Sequence, residues 1–307
     1  MTVRQARADD RAAVAAFTAD TWPDRDVTDY VPDAFPEWVE SDGPRQRTFV
    51  ADPDADGELA GLCQGVLLSD REAWAQGMRV NPDYRGAGVG RALNDALFRW
   101  AAEQGATVCR NMVFSWNSAG LGLSRGVGYE PVCEFRWAHP EPDADAAGSD
   151  DSLTVTDDPE AAWRYWQGSD ARDALAGLAL SLEETWALQE LTPDLLARAA
   201  AETAVFAVRG DEGTRGLAYR TRVVDREDDE RWAEYGVAGW ADVPAAEALF
   251  AAVGRDAADL DATRTRVVIP ETARHVSDAA AAGVGIGAEP DFVLAADLTG
   301  AAPAWRA

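Results

Sequence analysis

Apolar and polar positions alternate along several short stretches in the first half of the chain, and this pattern predicts strands. The predicted strands cover residues 2–7, 48–51, 59–68, 74–80, 107–114 and 129–137. Between them, apolar residues recur every three or four positions, which predicts helices over residues 11–20, 91–104 and 117–125. Segment 22–47 contains several prolines and is predicted to be irregular. Strands interspersed with helices indicate the α/β class, with a mixed (α+β) sheet flanked by helices.

The second half of the chain repeats features of the first half in the same order. Phe206 follows Phe49 by 157 residues, and Gly283-Val284-Gly285 follows Gly126-Val127-Gly128 by the same distance. An Asp-Arg-Glu triplet followed by Trp-Ala also occurs in each half. Features repeated at one period indicate two tandem copies of one fold.

The segment between the two halves differs from both in composition. Residues 139–152 are mostly Pro, Asp, Ala, Gly and Ser, without an apolar period, which predicts an acidic linker. The 307 residues are enough for two domains, each with its own core. The sequence therefore predicts one domain at 1–138 and a second at 153–307.

The charge of the chain narrows its possible partners and environment. It has 54 Asp and Glu against 28 basic residues, all of them Arg, and a net charge of -26. This charge argues against binding to nucleic acid or to an anionic membrane. At ~1 M ionic strength the Debye length is only ~3 Å, so salt would screen the repulsion between carboxylates. The acidic, lysine-free composition resembles that of proteins from haloarchaea, which accumulate salt, and predicts a halophilic protein.

Cysteine, histidine and apolar content exclude further classes of protein. The three cysteines lie far apart and are predicted to be reduced core thiols rather than disulfides or metal ligands. With only two histidines, no metal site is expected. The sequence has no apolar run of membrane-spanning length and no leader pattern, so a cytoplasmic protein is expected. The sequence does not distinguish a monomer from a homodimer.

A glycine-rich segment links the strand at 74–80 to the helix at 91–104. Gly86, Gly88 and Gly90 stand at alternate positions, which exposes backbone N–H groups beside a helix N-terminus, an arrangement that suits a phosphate. A P-loop would need a lysine followed by Ser or Thr, where this chain has Arg91-Ala92. A dinucleotide fingerprint would need the spacing G-x-G-x-x-G directly after the strand. This chain has G-x-G-x-G, and residues 81–85 separate it from the strand.

Segment 85–90, Arg-Gly-Ala-Gly-Val-Gly, resembles the R/Q-x-x-G-x-G/A acetyl-coenzyme A loop of the GNAT-superfamily N-acetyltransferases. A second block of that family, an Asn followed at fixed spacing by a Gly-aromatic pair, is matched by Asn117 and Gly128-Tyr129. The resemblance covers residues 1–138, and residues 153–299 resemble a degenerate copy. It implies two tandem GNAT-like domains, each with a mixed, mostly antiparallel sheet.

The resemblance also implies an activity, in which an amine attacks the acetyl thioester of acetyl-CoA directly and no metal takes part. The pantetheine arm would pair with the backbone of the strand at 74–80, and the pyrophosphate would lie on the glycine loop. The residues predicted to bind the cofactor are Met78, Val80, Arg85, Gly86, Ala87, Gly88, Val89, Gly90, Arg91 and Asn117. Arg79 and Arg110 add to a basic group around the loop.

The catalytic groups are less well defined by the sequence. Glu72 has the same parity along its strand as Met78 and Val80, so it could take the amine proton directly or through water. An exposed turn carboxylate is the alternative. Ser124 stands where the family usually has a tyrosine that protonates the thiolate, and serine is a much weaker acid. The remaining candidates for this role are Tyr129, Tyr84 and Tyr30.

The second copy lacks the glycine loop. Its equivalent segment, 237–249, carries Asp242 and Glu247, which would stabilise the following helix and repel a pyrophosphate. One active site per chain is therefore expected.

The acceptor is predicted to be a small-molecule amine, such as a free amino acid. This prediction rests on the resemblance of segment 74–80, Asp29-Tyr30-Val31-Pro32 and Trp38 to two-lobed family members that acetylate amino acids. Nearby carboxylates could attract a cationic amine: Asp24, Asp26, Asp29 and Asp33. The alternatives left open are a protein N-terminus, an antibiotic amine, and a non-catalytic acyl-CoA-binding regulator or scaffold.

Overall fold

The structure is a computed structural model that describes residues 1–19, 21–22, 29–53, 58–226 and 229–300. The chain divides into two compact units, each described separately below. Unit 1 comprises residues 1–113, 117–131 and those from Leu294 onward, and unit 2 comprises residues 114–116 and 132–293. Both contain strands flanked by helices, so the predicted mixed α/β class is confirmed. In the described part of the chain, no helix is both long and apolar enough to cross a membrane.

Unit 1 contains five consecutive neighbouring strands, in the order β1 to β5. The strands are β1 (Thr2–Gln5), β2 (Gln46–Asp52), β3 (Gly61–Leu67), β4 (Glu72–Val80) and β5 (Val108–Phe114). The helices are α1 (Arg11–Thr18), α2 (Val31–Ser41), α3 (Val89–Glu103) and α4 (Ser118–Val127). β1 to β4 are antiparallel, whereas β5 runs parallel to β4.

Helix α2 lies in the segment that the sequence analysis expected to be irregular, so that expectation was wrong. Pro32 occupies the first turn, where a missing N–H costs no helical bond, and Pro36 lies inside the helix. The buried Val31 and Phe35 pack in one cluster with Trp38 and other apolar residues. Tertiary packing therefore stabilises a helix that the proline content disfavours.

Helix α3 confirms the predicted helix at 91–104 and covers one face of the sheet. Its buried side chains include Leu97 and Trp100. At Gly65 of β3, an added Cβ would lie 2.7 Å from the Trp100 ring and 3.0 Å from Leu97 Cγ. The helix therefore packs directly on the backbone of β3.

Unit 2 contains the remaining elements in chain order. Its strands are β6 (Glu130–His139), β7 (Thr154–Thr156), β8 (Leu178–Leu180), β9 (Leu188–Glu190), β10 (Ala204–Gly210), β11 (Gly213–Asp225), β12 (Arg231–Trp240), β13 (Arg264–Pro270), β14 (Gly285–Ile286) and β15 (Asp291–Asp297). Its helices are α5 (Pro159–Gln167), α6 (Asp170–Ala174), α7 (Pro193–Glu202), α8 (Val243–Asp259) and α9 (Ala273–Ala281). β6 and β15 each extend into both units.

The strand order within unit 2 mirrors that of unit 1. β7, β10, β11 and β12 are antiparallel neighbours, and β13 runs parallel to β12, as β5 does to β4. β6 adds to β13 within unit 2. In unit 1, β15 lies next to β5, and the Leu298 N–H donates to the Thr107 carbonyl over 2.9 Å.

The segment predicted as a linker, 139–152, belongs to unit 2 and has no helix or strand after His139. The Asp143 N–H donates to the carbonyl of Gly254 in α8 over 3.0 Å, and the Arg255 side chain bonds the Ala146 carbonyl. The segment is therefore fixed to that helix. The domain boundaries at 138 and 153 stay a prediction.

A buried carboxyl group makes the stability of unit 2 depend on pH. Asp291 is 6% exposed, and burial raises its pKa to about 7, although the indole N–H of Trp137 donates to its Oδ2 over 3.2 Å. An unfolded aspartate has a pKa of about 3.9, so the folded state binds the additional proton between about pH 4 and pH 7. The free energy of unfolding should therefore fall as the pH rises through that window.

Asp291→Asn should remove this dependence because asparagine has no proton to lose. We expect the variant to be about 2–4 kcal/mol more stable than wild type at about pH 8 and nearly equal to it at about pH 4. Urea unfolding at constant salt measures both values. Equal stability of the two proteins at the higher pH would contradict the raised pKa.

Candidate active site

Strands β4 and β5 separate partway along their length. They pair only from Glu72↔Val108 to Trp74↔Arg110. On its other side, β4 pairs with β3 as far as Val80. From Ala75 onward, the edge of β4 that faces β5 is paired with no strand in the described part of the chain. Its backbone groups are available to a ligand that binds as an added strand.

A bulge lies within this open part of β4. The β3–β4 register passes from Gln64↔Gln76 to Leu62↔Arg79, so β4 has one extra residue. Gly77 has φ +63° there, and an added Cβ would lie 2.4 Å from Cη2 of Trp38 on α2. Both the backbone conformation and the contact require glycine, and such bulges redirect a strand next to functional sites.

The glycine loop begins where Asn81 ends β4. The Asn81 side chain donates to the Leu59 carbonyl and its backbone N–H to the Ala60 carbonyl, both over 2.9 Å. After a short turn, Gly86 and Gly88 adopt φ values of +80° and +81°. An added Cβ would meet nothing within 4 Å at either position, so backbone conformation rather than crowding favours glycine. Both residues are exposed.

The loop leads directly into the N-terminus of α3. Gly88 is the N-cap residue and no side chain caps the helix, while the Ala92 N–H donates to the Gly88 carbonyl over 3.0 Å. The N–H groups before Ala92 therefore make no helical hydrogen bond. Together with the helix dipole, they favour the binding of an anion. The buried Gly90 lies against Leu123 of α4, where an added Cβ would be 2.7 Å away.

Arg79 is neutralised by a buried carboxylate. Asp29 accepts hydrogen bonds from Arg79 Nε over 2.7 Å and Nη2 over 2.9 Å, and from the Thr21 hydroxyl over 2.6 Å. Burial alone would raise the pKa of Asp29, but the hydrogen bonds and charge of Arg79 outweigh it and the pKa is lowered. The Arg79 guanidinium also lies over the rings of Trp22 and Tyr30. The pair fixes the segment before α2 to β4.

The other arginines predicted around the loop differ in their partners. Arg110 pairs with Glu72, and the Arg91 side chain donates to the Gly126 carbonyl at the end of α4. Arg85 is exposed and, among the described residues, has no ion pair or side-chain hydrogen bond. Arg85 is therefore the arginine of this basic group that is best able to bind a phosphate.

The predicted base, Glu72, is the first residue of β4. Its carboxylate accepts from Arg110 and, over 3.0 Å, from the Ser69 hydroxyl. Successive strand residues rise about 3.3 Å, so Glu72 begins about 10 Å along β4 from Ala75, where the edge opens. Its role as a base stays a prediction.

The structure distinguishes the predicted proton donors. Ser124 of α4 is 5% exposed, and its Oγ accepts from Asn111 Nδ2 over 3.0 Å. The Tyr129 side chain lies inside the core, against Phe98 and with its hydroxyl 3.5 Å from Cys109 Sγ. Burial raises the pKa of Tyr129 well above its ordinary value. Tyr129 is therefore a core residue that cannot readily deliver a proton to a ligand.

The remaining predicted residues have simpler roles in the structure. Asn117 caps α4 by accepting from the Gly120 N–H over 2.9 Å. The Tyr84 hydroxyl donates to Glu58 over 2.7 Å, and Tyr30 is 50% exposed. Met78 and Val80 lie on the open edge of β4; Ala87 is exposed and Val89 buried. Asp24 and Asp26 lie outside the described residues.

For two residues at the site, no role was predicted from the sequence. The strained bulge residue Gly77 was visible only as a glycine within an apolar strand, which is a signal for a bulge. Asn111 was visible as an amide in a strand assigned as buried. Gly77 contacts Trp38 and Asn111 bonds Ser124. Both partners are distant in the sequence, so a local pattern of residues cannot predict these contacts.

Helix α8 of unit 2, which follows β12, begins differently from α3. Asp242 caps α8 by accepting from the Ala245 N–H over 3.1 Å, and Arg215 pairs with the same carboxylate. The prediction that a carboxylate stabilises this helix start is confirmed for Asp242, whereas Glu247 accepts from the Ser149 hydroxyl and does not cap the helix. Within the described ranges, no group of three or more His, Cys, Asp or Glu side chains could hold a metal ion.

Comparisons with known proteins agree with this geometry. The model of the Acetyltransferase (GNAT) family matches residues 11–129. Aminoglycoside N(6')-acetyltransferase type 1 of Stenotrophomonas maltophilia is 31% identical over 119 residues, which cover 36% of this chain and 72% of that protein.

Two solved structures extend the likeness of fold over almost the whole chain. A GCN5-related N-acetyltransferase from Sphaerobacter thermophilus has a TM-score of 0.65 at 14% identity, covering 98% of this chain and 96% of its own. A putative acetyltransferase from Pyrococcus horikoshii has a TM-score of 0.53 at 12% identity, covering 96% and 89%.

Proposed function

Because this chain belongs to the GNAT acetyltransferase family, we propose that it transfers the acetyl group of acetyl-CoA to an amine of a small molecule. The observation that carries the proposal is the open edge of β4 next to a glycine loop at the N-terminus of α3. An extended amide-containing arm and an adjacent pyrophosphate are the chemical groups that this pair of features suits.

In this proposal the pantetheine arm pairs with the β4 backbone at Met78 and Val80. The pyrophosphate lies on the N–H groups from Gly86 to Gly90, and the exposed Arg85 at the start of this loop supplies a positive charge. Arg91 and Asn117 contribute through the shape of the loop and the start of α4, since their side chains bond the protein itself. No metal takes part.

The reaction needs a neutral amine and a stabilised oxyanion. A backbone N–H on the open edge of β4 would donate to the oxygen of the tetrahedral intermediate. Glu72 would take the amine proton only through water, given its distance along the strand from Ala75 and its pairing with Arg110.

The acceptor is proposed to be a small amine, with aminoglycosides and free amino acids as the first classes to test. The Stenotrophomonas relative, an aminoglycoside N(6')-acetyltransferase by name, supports the first class. Asp29 is already bound by Arg79, so this carboxylate would not recognise a cationic acceptor while that pair is intact. A protein N-terminus is the further alternative. A non-catalytic acyl-CoA sensor is the second candidate function, favoured by Ser124 in the family's tyrosine position.

We also propose that residues 153–299 are a degenerate copy of the first half, supported by the matching strand order in the two units. One active site per chain then follows, because Asp242 occupies the equivalent helix start. The net charge of -26 supports the proposal that the protein works in a cytoplasm with a high salt concentration.

The test has two stages, both performed in molar KCl and repeated at low salt. Isothermal titration measures acetyl-CoA binding, and a thiol-release assay then measures CoA formation with aminoglycosides, free amino acids, polyamines and an N-terminal peptide. Binding followed by amine-dependent CoA release is expected, with greater activity and a higher unfolding temperature in molar KCl. Binding without release for any amine would favour the sensor, and absence of binding would exclude both functions.

A further inference from the structure

A cluster of arginines crosses three neighbouring strands of unit 2. Arg222 of β11, Glu234 of β12 and Arg266 of β13 stand opposite one another in the register of the sheet. Glu234 Oε2 lies 3.9 Å from Arg222 Nη1, and Oε1 lies 2.6 Å from Arg266 Nη2. Arg226, which follows β11, brings a third guanidinium to 3.5 Å from Oε1. Three positive charges therefore surround one carboxylate.

This excess of positive charge lies inside an acidic protein. The chain has 54 Asp and Glu against 28 Arg, yet Arg266 is 3% exposed and Glu234 is fully buried. The charge of Glu184 also acts on Arg222, but the three guanidinium groups still outnumber the two carboxylates. Burial lowers the pKa of Arg266 to about 10, and the charges of the two other arginines act in the same direction. The cluster therefore lacks a negative charge.

Two donors of the cluster lack an acceptor. Nε of Arg222 and Nε of Arg266 are buried without a hydrogen-bond partner among the described residues. Arg222 Nη1 does have one, because it donates to the Thr185 hydroxyl over 2.8 Å. The Arg266 guanidinium lies over the rings of Trp137 and Trp186, whose faces attract a cation but offer no acceptor atom. Buried donors nearly always have a partner, so an acceptor is expected at this place.

The loop that covers Arg266 is strained. Trp186, between β8 and β9, has φ +66°, a backbone conformation that bulky residues rarely adopt. Its ring packs edge-on against Trp137 with the ring centroids 5.5 Å apart. Strain of this kind is concentrated where a protein holds a ligand. The strained loop is thus a second sign of a binding site beside Arg266.

We infer that the three guanidinium groups of this cluster bind one monovalent halide ion, with chloride as the natural occupant. The ion accepts hydrogen bonds from the unpaired Nε groups and supplies the missing negative charge. Both Nε atoms are buried, which favours an occupant close to a water molecule in size. Guanidinium is weakly hydrated and exchanges water readily for an anion. The Arg226 side chain is 37% exposed, so the ion enters from solvent on that side. This inference is independent of the proposed acetyl transfer.

Bromide locates the ion directly. Crystals of the wild-type protein grown in KBr should give an anomalous scattering peak at hydrogen-bond distance from Nε of Arg222 or Arg266. A buried water molecule is the alternative occupant and gives no such peak. Water alone at this place, or bromide found only elsewhere on the protein, would overturn the inference. This measurement needs no variant and therefore does not depend on a substitution that could impair folding.

Stability in solution provides an independent measurement. KCl replaces potassium gluconate stepwise at constant molar salt, and the unfolding temperature is recorded at each step. Because chloride binds only the folded state, the unfolding temperature should rise by about 5 °C and then saturate. KBr should give the same saturable rise, since bromide has the same charge and a similar size.

Two arginine variants separate binding at this cluster from general effects of salt. Arg226→Gln removes one of the three charges and should raise the chloride concentration for half-saturation at least about tenfold. Arg264→Gln is the matched control, because Arg264 is 60% exposed and pairs with Glu230 outside the cluster. It should respond to chloride like wild type. An equal response of Arg226→Gln and wild type, or equal stability of wild type in gluconate and in chloride, would contradict the site.

Discussion

Gly88→Glu is expected to weaken acetyl-CoA binding by at least about a hundredfold, which corresponds to about 2.7 kcal/mol. Gly88 has φ +81° and caps α3, so any side chain there strains the backbone by about 1–2 kcal/mol. A carboxylate would also occupy the helix N-terminus and repel the pyrophosphate, as Asp242 is proposed to do in unit 2. Isothermal titration in molar KCl and at low salt measures the loss.

Two variants separate the effect of charge from that of conformation. Gly88→Ala introduces the strain without the charge and should lose about tenfold in affinity. Gly168→Glu adds the same charge after α5 of unit 2, at an exposed glycine with φ -111° and open space around its Cβ. This control should bind like wild type. If Gly88→Glu also did so, the loop would not be the cofactor site.

Glu234→Gln is expected to lower the free energy of unfolding by about 3–5 kcal/mol, since it leaves buried arginines without their counter-charge. Glu234 of β12 is fully buried and its Oε1 lies 2.6 Å from Nη2 of Arg266, directly opposite on β13. Burial lowers the pKa of Arg266 to about 10, and the charge of Glu234 opposes that effect. The Arg266 guanidinium lies over the rings of Trp137 and Trp186, and the residue is 3% exposed.

The matched control is Glu130→Gln, which removes the same charge from an exposed pair. The side chains of Glu130 and Arg125 are 72% and 47% exposed, and surface pairs contribute less than about 1 kcal/mol. Urea unfolding at constant KCl, followed by tryptophan fluorescence, compares the two variants. Replacing the pair with Glu234→Leu and Arg266→Met together should recover much of the loss, because apolar residues need no counter-charge. Equal stability of Glu234→Gln and Glu130→Gln would refute a structural role for the buried pair.

The elements predicted from periodicity agree with the structure where local pattern and packing act together. Helix α3 has both a buried apolar face and a glycine start, and was predicted within two residues at each end. Helix α2 was missed because Pro32 and Pro36 obscure its period, although Val31 and Phe35 bury its apolar face. Local sequence signals fail where tertiary contacts outweigh propensity.

The residues of the candidate site also fall into two groups, those predicted from the local sequence and those that depend on tertiary contacts. The glycine loop was found from the sequence because its residues are contiguous and their spacing reflects backbone conformation. Ser124 and Tyr129 were both predicted from the sequence as candidate proton donors, and only the structure distinguishes them. It encloses the Tyr129 ring in the core and joins Ser124 to Asn111, thirteen residues earlier in the chain.

By itself, the sequence determined the α/β class, the acidic composition, the glycine loop and Asp242 as the carboxylate that caps α8. Each of these is a local property of residue type and spacing. The tertiary structure alone decided the opening between β4 and β5, the contact of Trp38 with the bulge at Gly77, and the pairing of Arg79 with Asp29. These features join residues far apart in the chain, and their energies come from burial and shape that no local period records.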